Sequence, residues 1–122
     1  MSAKRVLVTD DDPSIRSLLA TILRRANYHV DTAASGGEAI ARSERTEYDA
    51  IVLDLMMPVM DGVEVLARLS ARPLKPKFVV IMSAAPPDVV TKAMTPNVFA
   101  TLQKPCGINE IVATVGACIA AA

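Results

Sequence analysis

The sequence predicts an α/β fold, a doubly wound parallel sheet with helices on both faces. Two observations carry this. Five short apolar runs alternate with helical patterns along the 122 residues. Most of those runs are continuously apolar and rich in Val and Ile, as strands buried on both faces are. Strand–helix alternation of this kind makes the strands parallel, with right-handed crossovers.

The first run is Val6-Leu7-Val8. After it, Ile15, Leu18, Leu19, Ile22 and Leu23 fall on one helical stripe, with Pro13 in the first turn, Asp12 as cap and Asn27 as stop. His29-Val30-Asp31-Thr32-Ala33 is a half-polar second strand. Ser35 and Glu38 have the spacing of a capping box before Ala39, Ile40 and Ala41. Ala50-Ile51-Val52-Leu53 is the third strand, and Asp61 with Glu64 repeats the capping spacing before Val65, Leu66 and Leu69. Phe78 to Met82 forms the fourth strand, and Asp88 to Met94 a short helix between Pro86-Pro87 and Pro96. Val98 to Leu102 is the fifth strand, and Ile108, Ile111, Val112, Val115 and Ile119 mark the last helix. No repeat, linker or low-complexity tract interrupts this order, so residues 1–122 are expected to form one domain.

Composition narrows the function. Apolar residues make up 52% of the chain, and the 13 basic side chains balance 13 acidic ones. That balance argues against bulk nucleic-acid binding, and the absence of Trp with only 3% aromatics removes base-stacking platforms. Cys106 and Cys118 match neither a metal spacing nor a disulfide framework and are expected to be reduced thiols. No signal peptide opens the chain, and the apolar tail from Ile111 to Ala122 is too short to span a bilayer. The expected location is the cytoplasm.

In open parallel α/β sheets, ligands sit beyond the carboxyl ends of the strands. Here those ends carry Asp10, Asp11 and Asp12 after the first strand, Asp54 at the third, Ser83 after the fourth, and Lys104-Pro105 after the fifth. If the first and third strands are neighbours, Asp10, Asp11 and Asp54 crowd together and oppose one another's ionisation. A hard divalent cation such as Mg²⁺ relieves such crowding, and Lys104 adds a positive charge opposite. A carboxylate nucleophile, charge neutralisation and a positioned hydroxyl are what phosphoryl transfer to an aspartate needs. Each element alone has a plainer reading: Asp12 as a helix cap, Ser83 as a turn residue, Lys104-Pro105 as a surface loop. Their coincidence at four strand ends favours a site.

With VLVTDDDPSIR (6–16), VLDLMMPVMDG (52–62), Ser83-Ala84 and Lys104-Pro105 in place, the chain resembles the receiver domain of two-component response regulators, over essentially its whole length. The resemblance implies a flavodoxin-like sheet of order 2-1-3-4-5 flanked by five helices, as the chemotaxis receivers have. It implies that Asp54 is the phosphoacceptor, taking its phosphoryl group from a sensor histidine kinase or a histidine phosphotransfer protein. Asp11, Asp54 and the backbone carbonyl of Met56 would hold Mg²⁺, with Asp10 acting mainly through a metal-bound water. Ser83 and Lys104 would bind the phosphate, Pro58 and Gly62 would shape the loop, and Pro105 would follow a cis peptide bond. Such a protein is a switch rather than an enzyme with a separate substrate. It signals to a downstream protein target, with no membrane, no nucleic acid and no output domain, and its oligomeric state is open.

Thr101 departs from the pattern, because the family commonly has an aromatic residue three positions before the lysine. Phe99, two residues earlier, is expected to share the face of Thr101 on the strand. The output face around the fourth helix and fifth strand is therefore atypical. Met56 and Ala85, two residues after Asp54 and Ser83, offer no polar side chain to orient an attacking water, so slow self-dephosphorylation is expected. Two other functions compete. One is a degenerate receiver serving as a scaffold. The other is an aspartyl-phosphate phosphatase of the haloacid-dehalogenase type, which would need a carboxylate where Met56 stands.

Overall fold

A computed structural model describes residues 3–57, 62–70, 78–94, 96–104 and 107–121. Along the chain it places β1 (Arg5–Thr9), α1 (Pro13–Arg25), β2 (His29–Ala33), α2 (Gly36–Arg45), β3 (Ala50–Asp54), α3 (Gly62–Ser70), β4 (Val79–Ser83), α4 (Pro87–Ala93), β5 (Val98–Gln103) and α5 (Ile108–Ala120). All strand pairs are parallel, in the order β2-β1-β3-β4-β5. The alternation and the order both match the expectation. Ser83 and Gln103 lie inside their strands rather than just after them.

The side-chain period of two divides each strand between two aliphatic layers. Leu7, Ile51, Leu53, Val79 and Ile81 join Val65, Leu66 and Leu69 of α3 on one face of the sheet. Val6, Val8, Val52, Val80 and Met82 join Leu19 and Leu23 of α1 and Ile111 and Val115 of α5 on the other. The helical stripe read from α1 is wider than the core it serves. Leu19 and Leu23 are buried, but Leu18 is 52% exposed.

The ends of α1 and α2 form as the sequence suggests. The Asp12 carboxylate accepts from the amides of Ser14 and Ile15 at 2.8 and 3.3 Å. At the other end of α1, Asn27 takes φ 73°. Its amide donates to the Arg24 carbonyl, and the Tyr28 amide to that of Leu23, which is a Schellman closure. Ser35 Oγ accepts from the Glu38 amide, while Glu38 reaches back to the Ala34 amide, one residue before the cap. The expected cap of α3, Asp61, lies outside the described residues. Gly62 opens that helix against the end of β3. A Cβ there would meet Leu55 Cα at 2.5 Å and the Asp54 carbonyl oxygen at 2.6 Å.

Strand β5 corrects the expectation about Phe99. Val79 pairs with Val98 but Val80 pairs with Ala100, so Phe99 is an extra residue in the ladder. A bulge reverses the in–out alternation beyond it. Phe99 therefore packs on the α1/α5 layer, whereas Thr101, opposite Ile81, faces α4 and is exposed.

Substitutions at two positions test these local constraints. Asn27→Val forces a β-branched residue to positive φ and is expected to lower stability by about 1–2 kcal/mol, with Asn27→Gly close to neutral, in urea unfolding. Gly62→Ala presses against backbone on two sides. It is expected to destabilise by roughly 1–3 kcal/mol in the same assay.

Candidate functional site

The topology brings the chemistry together. With β1 and β3 adjacent, the carboxyl ends of both strands deliver acids to one point. Carboxylate oxygens of Asp10, Asp11 and Asp54 lie within 4.8 Å of one another. Asp10 and Asp54 are buried, and Asp11 is exposed at the rim. Asp54 is thus more enclosed than its place at the end of a strand suggests. Lys104, at the end of β5, crosses over β4 to reach them. Its Nζ lies 3.0 Å from Asp10 Oδ2 and 3.3 Å from Asp54 Oδ2.

Each group is held by its own loop. Asp10 Oδ1 accepts from the Asp12 amide, and the Asp10 carbonyl accepts from Arg16 Nη1 at 2.9 Å. Asp54 Oδ1 accepts from the Met56 amide at 3.0 Å. The Ser83 carbonyl accepts from the Lys104 amide, and Ser83 Oγ from the Ala85 amide at 2.9 Å. The Arg16 contact escaped the sequence reading, because nothing in a lone arginine after a helix start announces a partner six residues back. Pro58, Pro105 and Cys106 lie outside the described residues.

Electrostatics follow from burial and crowding. Burial pushes the Asp54 carboxyl above the usual carboxylate range, and the Asp10 charge adds to this; the Met56 amide and Lys104 oppose it without prevailing. Burial alone would lower the Lys104 ammonium. The Asp10 hydrogen bond and the charges of Asp54 and Asp10 outweigh it and hold the ammonium above the ordinary lysine value. Three clustered carboxylates facing one ammonium form an oxygen-rich donor set suited to a hard cation.

Among the described residues, two concavities adjoin the site. One, of about 260 Å³, lies between β4, α4 and β5 and is lined by Ser83, Val90, Thr91 and Thr101 among others. So the atypical Thr101 and the hydroxyl of Ser83 share one space. The other, of about 360 Å³, is an apolar groove between α1 and α5 lined by Leu18, Ile22, Ile108 and Ile111, and it ends at Lys104. Leu18 and Ile108 stand about half exposed along it.

Comparison with known proteins agrees with the geometry. The family model described as response regulator receiver domain matches residues 6–116. Transcriptional regulatory protein PrrA of Mycobacterium leprae is 37% identical over 117 residues, 96% of this chain and 50% of that protein. The alkaline phosphatase synthesis transcriptional regulatory protein PhoP of Bacillus subtilis is 38% identical over 116 residues, 93% of this chain and 48% of that one. The chain thus spans about half the length of these curated relatives. Chemotaxis protein CheY4 of Vibrio cholerae superposes with a TM-score of 0.83 at 28% identity, covering 95% of this chain and 98% of that one. No helix among the described residues is long and apolar enough to cross a membrane.

The raised carboxyl of Asp54 has a testable sign. A folded-state pKa above the unfolded one means that the ionised form opposes folding once pH rises past the folded pKa. Asp54→Asn is therefore expected to be at least as stable as the parent chain at neutral pH without divalent cation. Lys104→Met, which strands two buried carboxylates, is expected to be less stable by roughly 3 kcal/mol, discounted for the partial exposure of Lys104. Urea unfolding of both variants measures this.

Proposed function

The chain belongs to the response regulator receiver domain family, and from that premise we propose that it is a phosphorylation switch of a two-component phosphorelay, with Asp54 as phosphoacceptor. The observation that carries this reading is the buried Asp54 carboxylate held beside Asp10 by the Lys104 ammonium, which contacts both. Function on this reading lies in altered protein contacts, not in turnover of a separate substrate, and its place is the cytoplasm.

In the proposed reaction an Asp54 carboxylate oxygen attacks the phosphorus of a phosphohistidine on a sensor kinase or phosphotransfer protein. The phosphorus–nitrogen bond breaks as the oxygen–phosphorus bond forms, leaving an acyl phosphate on Asp54 and a free imidazole on the donor. Asp11, Asp54 and the Met56 carbonyl are the groups that would hold Mg²⁺, with Asp10 in its outer sphere. When bound, the ion neutralises charge on the transferring oxygens. Lys104 offers the phosphoryl group a counter-charge. Ser83 offers a hydroxyl, and satisfying the new anion would draw its loop inward and reshape the space beside Thr101. That local charge event biases the β4–α4–β5 face that a downstream protein would read.

The donor must approach Asp54 from outside, and the apolar groove that ends at Lys104 suits its docking. Leu18→Asp is expected to slow phosphotransfer from a cognate kinase about tenfold or more, as loss of a buried aliphatic anchor does. Labelling by a small phosphodonor should be unchanged.

The direct test of the switch is incubation with Mg²⁺ and a small phosphodonor or beryllofluoride. A mass increase or a spectral response that Asp54→Ala removes is the expected result. No response in the parent chain would favour a scaffold role instead. The phosphorylated form is expected to last minutes or longer without a phosphatase, because Met56 is exposed beside the site with an apolar side chain and Ala85 is buried and apolar. Decay of the radiolabel checks this.

A further inference from the structure

A polar concavity outside the Asp54 site lies at the last turn of α2. It measures about 250 Å³ and is lined by Glu38, Ala41, Arg42, Arg45, Thr46 and Tyr48. Arg42 and Arg45 are three residues apart and share a helix face. Each neighbouring acid accepts a hydrogen bond from elsewhere, Glu38 from the Ala34 amide at 2.8 Å and Asp31 from the Tyr48 hydroxyl at 2.7 Å. Among the described residues neither Arg42 nor Arg45 forms an ion pair. Arg42 Nε is moreover buried with no hydrogen-bond partner.

Arginines in the last turn of a helix are favoured by the helix dipole, which alone explains their presence in sequence. It does not explain a buried guanidinium N–H left without an acceptor, an arrangement proteins rarely tolerate. We propose that this concavity is an oxyanion site that binds a phosphate group through Arg42 and Arg45. Two guanidinium groups offer more donors than the two oxygens of a carboxylate can use well, and a tetrahedral phosphate matches them better. The volume lies below the ~300 Å³ at which pockets begin to enclose drug-sized molecules. It therefore suits a phosphate head group rather than a whole nucleotide.

The test uses the full chain carrying Asp54→Ala, without divalent cation, so that no acyl phosphate forms, and it reads the arginines themselves so that phosphate near Lys104 does not enter the signal. Inorganic phosphate is titrated at constant ionic strength while the arginine Nε–H resonances are followed. Saturable shifts at Arg42 and Arg45 are expected, with affinity about tenfold weaker in Arg45→Gln, an exposed position that does not threaten folding, and in Arg42→Lys, which keeps charge but loses the fork. A phosphate monoester run in parallel separates the sources. Tighter binding of the monoester points to a phosphorylated molecule, and tighter binding of inorganic phosphate to the free ion. Non-saturating shifts, unchanged affinity in both variants, or equal binding of acetate would each overturn the proposal.

Discussion

The Lys104 ammonium holds Asp10 and Asp54 together, and the architecture of the carboxyl edge of the sheet depends on that clasp. Two buried carboxylates on adjacent strands repel, and desolvation opposes their ionisation further. The 3.0 and 3.3 Å contacts to Lys104 supply the opposing charge. Each acid also anchors a loop, Asp10 through the Asp12 amide and Asp54 through the Met56 amide. The lysine is itself tied by its backbone to the Ser83 carbonyl. A single charge thus couples the ends of β1, β3, β4 and β5.

The clasp is incomplete. Burial still raises Asp54 against the combined pull of Lys104 and the Met56 amide. Among the described residues, the Lys104 ammonium beside Asp10, Asp11 and Asp54 leaves a local excess of negative charge. The rest of the fold tolerates this because two aliphatic layers, one on each face of the sheet, fix the strands independently of the site. A rigid apolar frame holds a polar edge that is not at its own electrostatic optimum, which is the condition for a site that responds to a new charge.

The far side of Ser83 carries the individuality of this chain. The bulge at Phe99 sends the aromatic ring to the α1/α5 layer and leaves Thr101 beside the space between β4, α4 and β5. No aromatic side chain of β5 is available to move into that space. A change at Ser83 would be felt there through backbone and small polar groups. The helix that borders it, α4, has seven residues and no side-chain cap, so its position rests mainly on packing.

Much of this was legible in the sequence, for physical reasons that can be named. Apolar runs of Val and Ile alternating with helical stripes determined a parallel sheet, and the acids, hydroxyl and amine at the strand ends marked the site before any geometry was known. Local caps were equally readable, since Asp12, Asn27, Ser35 and Glu38 act on backbone groups a few residues away. Only tertiary structure decided the rest. Which face Phe99 takes depends on one extra residue in a ladder, and the register of β5 against β4 is set by packing along both strands, not by the local alternation. The exposure of Leu18 depends on where α5 lies. That neither Arg42 nor Arg45 forms an ion pair among the described residues depends on which side chains the fold gathers around the end of α2. Chain neighbours and periodicity are written in the sequence, whereas competition among distant groups for one partner is settled only when they meet.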